Sequence, residues 1–286
     1  MRSLKCVIDI CGQNFRKWRT DYRVWCIALL LFVLTAIYND DMARLANALG
    51  TKPPFWIFPI LYTQFHTKLI FTLPVVLLFC NAPFTDDNQV FVYMRSGRTK
   101  WLCGQVLYIF AASAVYYLFL FLTTIVLTVF TGELSWDWGS TILSLSANPG
   151  AVSHSIAPFI YLNPMIFEFF TPIQAVWFTF LLSWCAASLL GLVVFFFNLV
   201  SGTRILGVLI ASVMVIICSS IENLGYNNLM PFSPVSWNTL DNIDVGGLTD
   251  NPSFSYCMTV YAILLVVLTA LILIFGTKKS LDTRGN

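Results

Sequence analysis

The sequence predicts an all-α polytopic membrane protein with six transmembrane helices and both termini in the cytoplasm. Three observations predict it. The chain of 286 residues is 58% apolar and only 10% charged, against roughly 45–50% and about 25% for soluble proteins. Its apolar residues fall into six long runs. Its basic residues gather in alternate segments between those runs. A soluble domain of this size needs more charge to stay dispersed, so the excess apolar surface faces lipid. The same composition, with a net charge of only +2, excludes a disordered chain, a collagen-like repeat and a nucleic-acid-binding domain.

A spanning helix needs about 20 mainly apolar residues to cross roughly 30 Å of hydrocarbon. Six segments qualify: Val24–Tyr38, Ile60–Cys80, Trp101–Phe130, Ile173–Leu199, Ile205–Ile221 and Tyr256–Phe275. The first is short and extends back into residues 20–23. The second is interrupted by Pro59 and Pro74 and carries Lys68, so neighbouring helices must satisfy the backbone groups that the prolines release. The apolar run beginning at Val24 follows a basic amphipathic stretch and lacks an A-x-A-like site, which argues against a cleavable signal.

Charge orients the spans. The N-terminal arm, the second and fourth loops and the C-terminal tail together hold 13 of the 16 Lys and Arg residues. The alternate loops hold Arg44, Lys52 and Lys68 but collect Asp40, Asp41, Glu133, Asp137, Glu168, Glu222, Asp241, Asp244 and Asp250. Basic residues are retained on the cytoplasmic side, which places both termini inside and requires an even number of spans.

The chain reads as a single transmembrane domain over residues 1–286, preceded within residues 1–23 by an interfacial helix. In Ser3–Arg19, Leu4, Val7, Ile8, Cys11 and Phe15 recur at helical spacing before Arg16, Lys17 and Arg19, a pattern that lies along headgroups and meets anionic lipid. The alternative is a basic tail without structure. The loop 81–100 carries a second short helix. Asp86 and Asp87 suit the positive end of a helix starting near Thr85, and Gly97 offers a stop. Between them lie Val90, Phe91, Tyr93 and Met94, followed by Arg95, Arg98 and Lys100. Such a helix needs a partner surface or rests on the bilayer. The outer loops 131–172 and 222–254 lack Lys and Arg but contain many prolines and apolar residues. They are expected to fold back as short helices over the spans.

Most catalytic chemistry is missing. No G-x-x-x-x-G-K-[ST] loop occurs, so the chain is not expected to hydrolyse ATP by that mechanism. H-E-x-x-H is absent, and the eight cysteines form no CxxC pair. Ser153-His154-Ser155 lacks a third group for nucleophilic work. His66 and Lys68 either line a polar path or snorkel to the interface, and Glu168 is interfacial. Ala111–Ala114, Ala187, Gly191, Gly207 and Ala211 permit close helix approach.

The basic interfacial helix, six spans, helical first cytoplasmic loop, tight Ser201-Gly202-Thr203-Arg204 turn and folded-back last outer loop together resemble the membrane subunit of type-2 ABC exporters. The stretch Val92-Tyr93-Met94-Arg95-Ser96-Gly97-Arg98-Thr99-Lys100-Trp101 is similar to the segment following the coupling helix in bacterial permeases of this sort. The resemblance implies that Asp86, Asp87, Val90, Phe91, Tyr93, Met94, Arg95 and Arg98 couple the chain to a separate ATPase subunit. It implies an outer gate at Glu222, Asn223, Tyr226, Pro231 and Phe232. It further implies a second permease subunit, identical or not, and a multi-pass location in a bacterial cell membrane. No cofactor is expected in this chain, and ATP and Mg²⁺ belong to the partner. The abundant aromatic residues favour an amphiphilic cargo such as a peptide, a drug or a lipid-linked molecule. The outer loop 131–172 is longer than is usual in that family. A competing reading is a non-transporting membrane anchor or regulatory subunit of a sensor complex.

Overall fold

The computed structural model describes residues 2–61, 63–84, 89–130, 132–147, 160, 162–247 and 249–278. Among them the chain is helical, without a named strand. Ten α-helices follow in order: α1 (Arg2–Lys17), α2 (Tyr22–Ala48), α3 (Phe65–Phe79), α4 (Gln89–Ser96), α5 (Arg98–Thr128), α6 (Gly139–Ala147), α7 (Pro164–Phe169), α8 (Pro172–Ser201), α9 (Leu206–Asn223) and α10 (Phe254–Lys278). Five of these, α2, α5, α8, α9 and α10, are long and apolar enough to cross a membrane. The protein is therefore a multi-pass helical membrane protein. The predicted second span is a shorter apolar helix, α3, of 15 residues.

Local sequence explains most boundaries. Asp21 caps α2 by accepting from the Arg23 amide, which satisfies an amide that the helix start leaves orphaned. Thr171 and Gln174 form a reciprocal capping box at α8, with Pro172 in the first turn. Gly202 ends α8 with φ 76°, a left-handed conformation that costs glycine little.

The helices pack as a bundle around α8. Leu189, Leu190, Leu192, Val194 and Phe195 of α8 are all buried, whereas α10 buries few of its residues. Long apolar side chains of α2, α5, α9 and α10 stay exposed, among them Trp25, Leu29, Leu122, Leu209 and Val266. Exposed apolar faces on otherwise well-packed helices are what a lipid solvent requires. Small residues bring α8 against its neighbours: a Cβ on Gly191 would lie 2.6 Å from Ile109 Cγ2, so the helices meet nearly backbone to side chain.

The bundle has two distinguishable ends. At the near end, Arg98 donates to the Thr277 carbonyl at 3.1 Å, Asn198 donates to the Ala82 carbonyl at 2.9 Å and Arg23 reaches Cys80 Sγ at 3.1 Å. At the far end, the Glu133 amide donates to the Pro53 carbonyl at 2.8 Å. There Trp56 Nε1 also reaches the Ser135 carbonyl at 2.9 Å and Trp138 Nε1 the Phe170 carbonyl at 2.9 Å. Between α5 and α8 the described residues form the short helices α6 and α7, whereas the segment between α9 and α10, where short helices were expected, forms only short 3-10 turns.

Three sequence expectations shift in detail. The N-terminal helix ends at Lys17 and docks on α5. Ile10 and Cys11 are buried there, and Asn14 donates to Gln105 at 2.7 Å, while Leu4 and Ile8 remain exposed on its other side. Trp101, given by the sequence as the first residue of the third span, lies one turn inside α5 and is buried at 4% exposure. The second apolar segment does not begin as a helix. Residues Ile57–Leu61 enter the bundle as a wholly buried turn, with Phe58 against Phe121, because Pro59 and the extended Gln64 prevent α3 from starting earlier. Pro74 lies inside α3 and deprives the Ile70 carbonyl of its usual donor. One residue on, the Phe71 carbonyl accepts from Tyr116 on α5 at 2.7 Å.

Candidate functional site

The segment between α9 and α10 folds back into the far end of the bundle. It begins at the exposed Leu224 and Tyr226, then turns inward so that Ser233, Val235, Ser236, Trp237, Asn238, Thr239 and Leu240 are buried. No regular helix forms because Pro231 and Pro234 interrupt the hydrogen-bond ladder. Side chains and short 3-10 turns supply the bonds instead. Trp237 donates to the Met230 carbonyl at 2.8 Å and lies edge-on to Tyr261. Tyr261 on α10 donates to the Pro234 carbonyl, and Ser236 donates to the Cys218 carbonyl on α9 at 2.6 Å. Ser183 on α8 donates to the Asn238 carbonyl at 3.2 Å. The segment is thus fastened to three spanning helices.

Lys68 projects into this arrangement from the first turn of α3. Its side chain is wholly buried and forms an ion pair with Glu222 at the end of α9. It also donates to Thr239 Oγ1 at 3.3 Å and the Ser236 carbonyl at 3.4 Å. An ammonium in apolar surroundings persists only with such partners, so Lys68 neither snorkels outward nor stands in an open path. Asn238, deeper in the segment, donates to Thr72 Oγ1 of the same helix at 3.3 Å.

A second carboxyl group lies nearby. Both oxygens of Asp241 are buried, and among the described residues none receives a hydrogen bond of good geometry. Burial pushes its pKa up to about 7, and Glu222 adds to the rise; Asn163 and Lys68 oppose it. The buried cluster around Lys68 therefore contains one lysine, one ion-paired carboxylate and, at neutral pH, one carboxyl group poised between its two forms. This arrangement can hold charge and fix helices against one another. It offers no nucleophile–base pair, and no grouping of His, Cys, Asp and Glu among the described residues fits a metal ion.

The expected outer-gate residues separate into two groups. Glu222 belongs to the buried pair, and the Pro231 carbonyl accepts from Tyr256 at 3.2 Å. Asn223, Tyr226 and Phe232 face outward, Phe232 at 78% exposure. The sequence did not single out the buried Ser236, Asn238 and Thr239, and gave Asp241, whose carboxyl oxygens are buried, only as one acid of the outer loops. Their density of small polar residues after Pro234 was the available signal.

The expected coupling helix lies at the other end of the molecule. Helix α4 runs over Gln89–Ser96, and Asp86, Asp87 and the side chains of Val90 and Tyr93 lie outside the described residues. Phe91 is 71% exposed and Met94 81% exposed, while Val92 packs inward and Ser96 donates to its carbonyl at 2.6 Å. Gly97, at φ 79°, turns the chain directly into α5. Arg95 is exposed, whereas Arg98 is held by the Thr277 carbonyl. Glu168 is exposed on α7, and Ser153-His154-Ser155 falls outside the described residues.

No protein-family model matches this chain, and no curated protein is similar to it in sequence.

Proposed function

We propose that this chain is the membrane subunit of an ABC exporter of type 2, forming half of a path for an amphiphilic cargo and driven by a separate ATPase subunit. The observation that carries the reading is α4. It is an eight-residue helix with Phe91 and Met94 turned away from the bundle, continuous through Gly97 with the 31-residue α5. At about 1.5 Å per residue, α5 spans roughly 46 Å, so it exceeds the hydrocarbon core and carries any push on α4 into the bundle.

In this reading α3 is the sixth crossing. Its helix is roughly 22 Å long, and the buried turn Ile57–Leu61 continues it toward the far end. The near end is cytoplasmic because α1, α4, the α8–α9 turn and the end of α10 bring the basic residues there. The membrane is a bacterial cell membrane. A second permease subunit packs against the exposed apolar helices, and the cargo path runs between the two bundles, since α8 fills the centre of each. The buried Lys68–Glu222 pair and its overlying segment form the outer gate. ATP and Mg²⁺ bind the partner, whose closed state must favour a different arrangement of the spans for work to be coupled.

The test is direct. The purified chain is mixed with a phosphate-loop ATPase encoded beside it, and complex formation is measured with and without residues 81–100. Binding that disappears with the loop supports the exporter. An intact complex after the deletion, or binding to a sensor kinase alone, selects the membrane anchor instead.

A further inference from the structure

Helices α2 and α5 run side by side from the near end to the far end, and their register sets the height of the membrane. Both begin together: Trp18, just before α2, donates to Tyr108 on α5 at 2.7 Å, and Tyr108 lines one small cavity with Asp21 and Val24. Both end together: the Thr51 and Thr141 hydroxyls share a hydrogen bond of 2.8 Å, and the Pro53 carbonyl accepts from the Glu133 amide. On α2 the exposed face is apolar from Tyr22 to Ile37, and the next exposed residues are Asp40 and Arg44, paired with each other at 2.7 Å. From Tyr22 to Asp40 is 18 residues, about 27 Å of helix, which matches a hydrocarbon core of roughly 30 Å. The same 18 residues counted from Tyr108 reach Val126. The far-end edge of the lipid therefore crosses α5 near Val126.

Beyond that height the chain stays apolar. Leu122, Val126 and Val129 form the exposed stripe of α5, Phe130 follows it, and Leu134 and Trp136 are exposed as well. The chain there folds back toward the lipid instead of rising away. Trp56 donates to the Ser135 carbonyl at 2.9 Å, and Phe58, two residues on, lies edge-on to Phe121, which holds Ser135 close to the height of Val126. Leu134 and Trp136 are exposed on either side of the half-buried Ser135, the alternation of an extended chain. Trp56 and Trp138 turn their indoles inward to carbonyls, whereas Trp136 is 79% exposed. Charge adds little pull. Glu133 is taken up by the Ser140 amide and hydroxyl at 3.2 and 2.8 Å, and the exposed Lys52 and Asp137 are of opposite sign.

We infer that the α5–α6 connection, through Phe130, Leu134 and Trp136, is a membrane anchor seated in the interfacial layer of the far-end leaflet. The lipid face of α5 leads into it. An indole at that level buries its ring and keeps its N–H wet, which is why tryptophan favours membrane interfaces. With so little charge, the anchor takes the glycerol and carbonyl region shared by all phospholipids and not a particular headgroup. It fixes the far end of the longest helix at the membrane surface. The assignment rests on the multi-pass fold alone and is independent of the transport reading.

The test is fluorine NMR of the full chain carrying fluorotryptophan in phosphatidylcholine nanodiscs, where Trp136→Phe identifies one of nine tryptophan signals. Should that variant misfold, Trp136→Tyr gives the same assignment. The Trp136 signal should be lost when the phosphatidylcholine is spin-labelled near the carbonyl end of its chain. It should survive a label at the methyl end and a gadolinium chelate in the water. Mixing in phosphatidylglycerol should leave this pattern unchanged. Loss to the aqueous chelate in place of the lipid label overturns the anchor and marks a surface for a water-borne protein partner. A signal that no reagent reaches overturns it too, and puts Trp136 beneath another part of the chain. Loss to the lipid label only when phosphatidylglycerol is present overturns the absence of headgroup selectivity.

Discussion

Lys68 and Glu222 stand 154 residues apart in sequence, yet their side chains form one buried ion pair. The pair fixes the first turn of α3 to the last turn of α9 beneath the folded-back segment. Because Lys68 also donates to Thr239 and to the Ser236 carbonyl, one ammonium group joins both helices to the segment that covers them. Any movement opening the far end must break or exchange these contacts together.

Removing one partner should be worse than removing both. Lys68→Met leaves the Glu222 carboxylate without its cation, and Glu222→Gln leaves a buried ammonium. Breaking such a pair costs about 3–5 kcal/mol, whereas an apolar replacement of both groups is often neutral. Either single variant should therefore melt well below the wild type in detergent. Lys68→Met/Glu222→Leu should recover most of the difference. A double variant that melts no higher than both singles would show that the pair is not energetically coupled.

Asp241 makes stability depend on pH. Its pKa rises from 3.8 to about 7 on folding because burial penalises the carboxylate. Between those values the folded state retains a proton that the unfolded state has released. Stability should fall as pH rises from about 4 to 7 and level off above. Asp241→Asn removes the titrating group and should flatten the slope of melting temperature over that window. An unchanged slope would assign it to another group.

The spanning helices were legible because lipid imposes a simple rule: long apolar runs must satisfy their own backbone. Prolines and apolar residues led to short helices being expected in both outer loops; between α5 and α8 two such helices form, but between α9 and α10 Pro231 and Pro234 leave only 3-10 turns. Sequence was poorer where tertiary contacts decide. Pro59 and Pro74 announced an irregular second span, but not that Ile57–Leu61 would fill its place as a buried turn. Lys68 was visible as an anomaly in an apolar run. Its partner was not, because a pairing across 154 residues has no local signature. Asp241 looked like one more acid of the outer loops, and the burial of its carboxyl oxygens follows from the inward path of residues 233–243.

The turn between α8 and α9 depends on one amide. Asn198 donates to the Ala82 carbonyl at 2.9 Å and accepts from the Gly207 amide at 2.8 Å, with 3% exposure. It therefore ties three chain segments at the near end. Gly207 has no room for a side chain, since a Cβ would press on the Val194 carbonyl. Asn198→Leu should cost about 1–3 kcal/mol by stranding a donor and an acceptor. Ser201→Ala, at the exposed end of the same helix, should change melting by far less. Comparable losses for the two would place the stability of the turn elsewhere.

The exposed face of α4 allows coupling to be separated from folding. Phe91 and Met94 contribute little to the internal packing, at 71% and 81% exposure, so Phe91→Asp and Met94→Asp should insert and melt like the wild type. If the helix seats in an ATPase groove, a carboxylate there is desolvated without a partner, at a cost of several kcal/mol. Binding to the ATPase should then weaken at least tenfold, and ATP-driven cargo movement in vesicles should fall with it. A Gly97→Ala variant probes the same path differently. The added Cβ meets no neighbouring atom, but φ 79° and ψ 153° belong to glycine, so the connection from α4 to α5 is strained while the side chains of the docking face stay the same. Transport should drop while ATPase binding stays intact. Full export by the aspartate variants would remove α4 from the coupling route, whatever the ATPase binds.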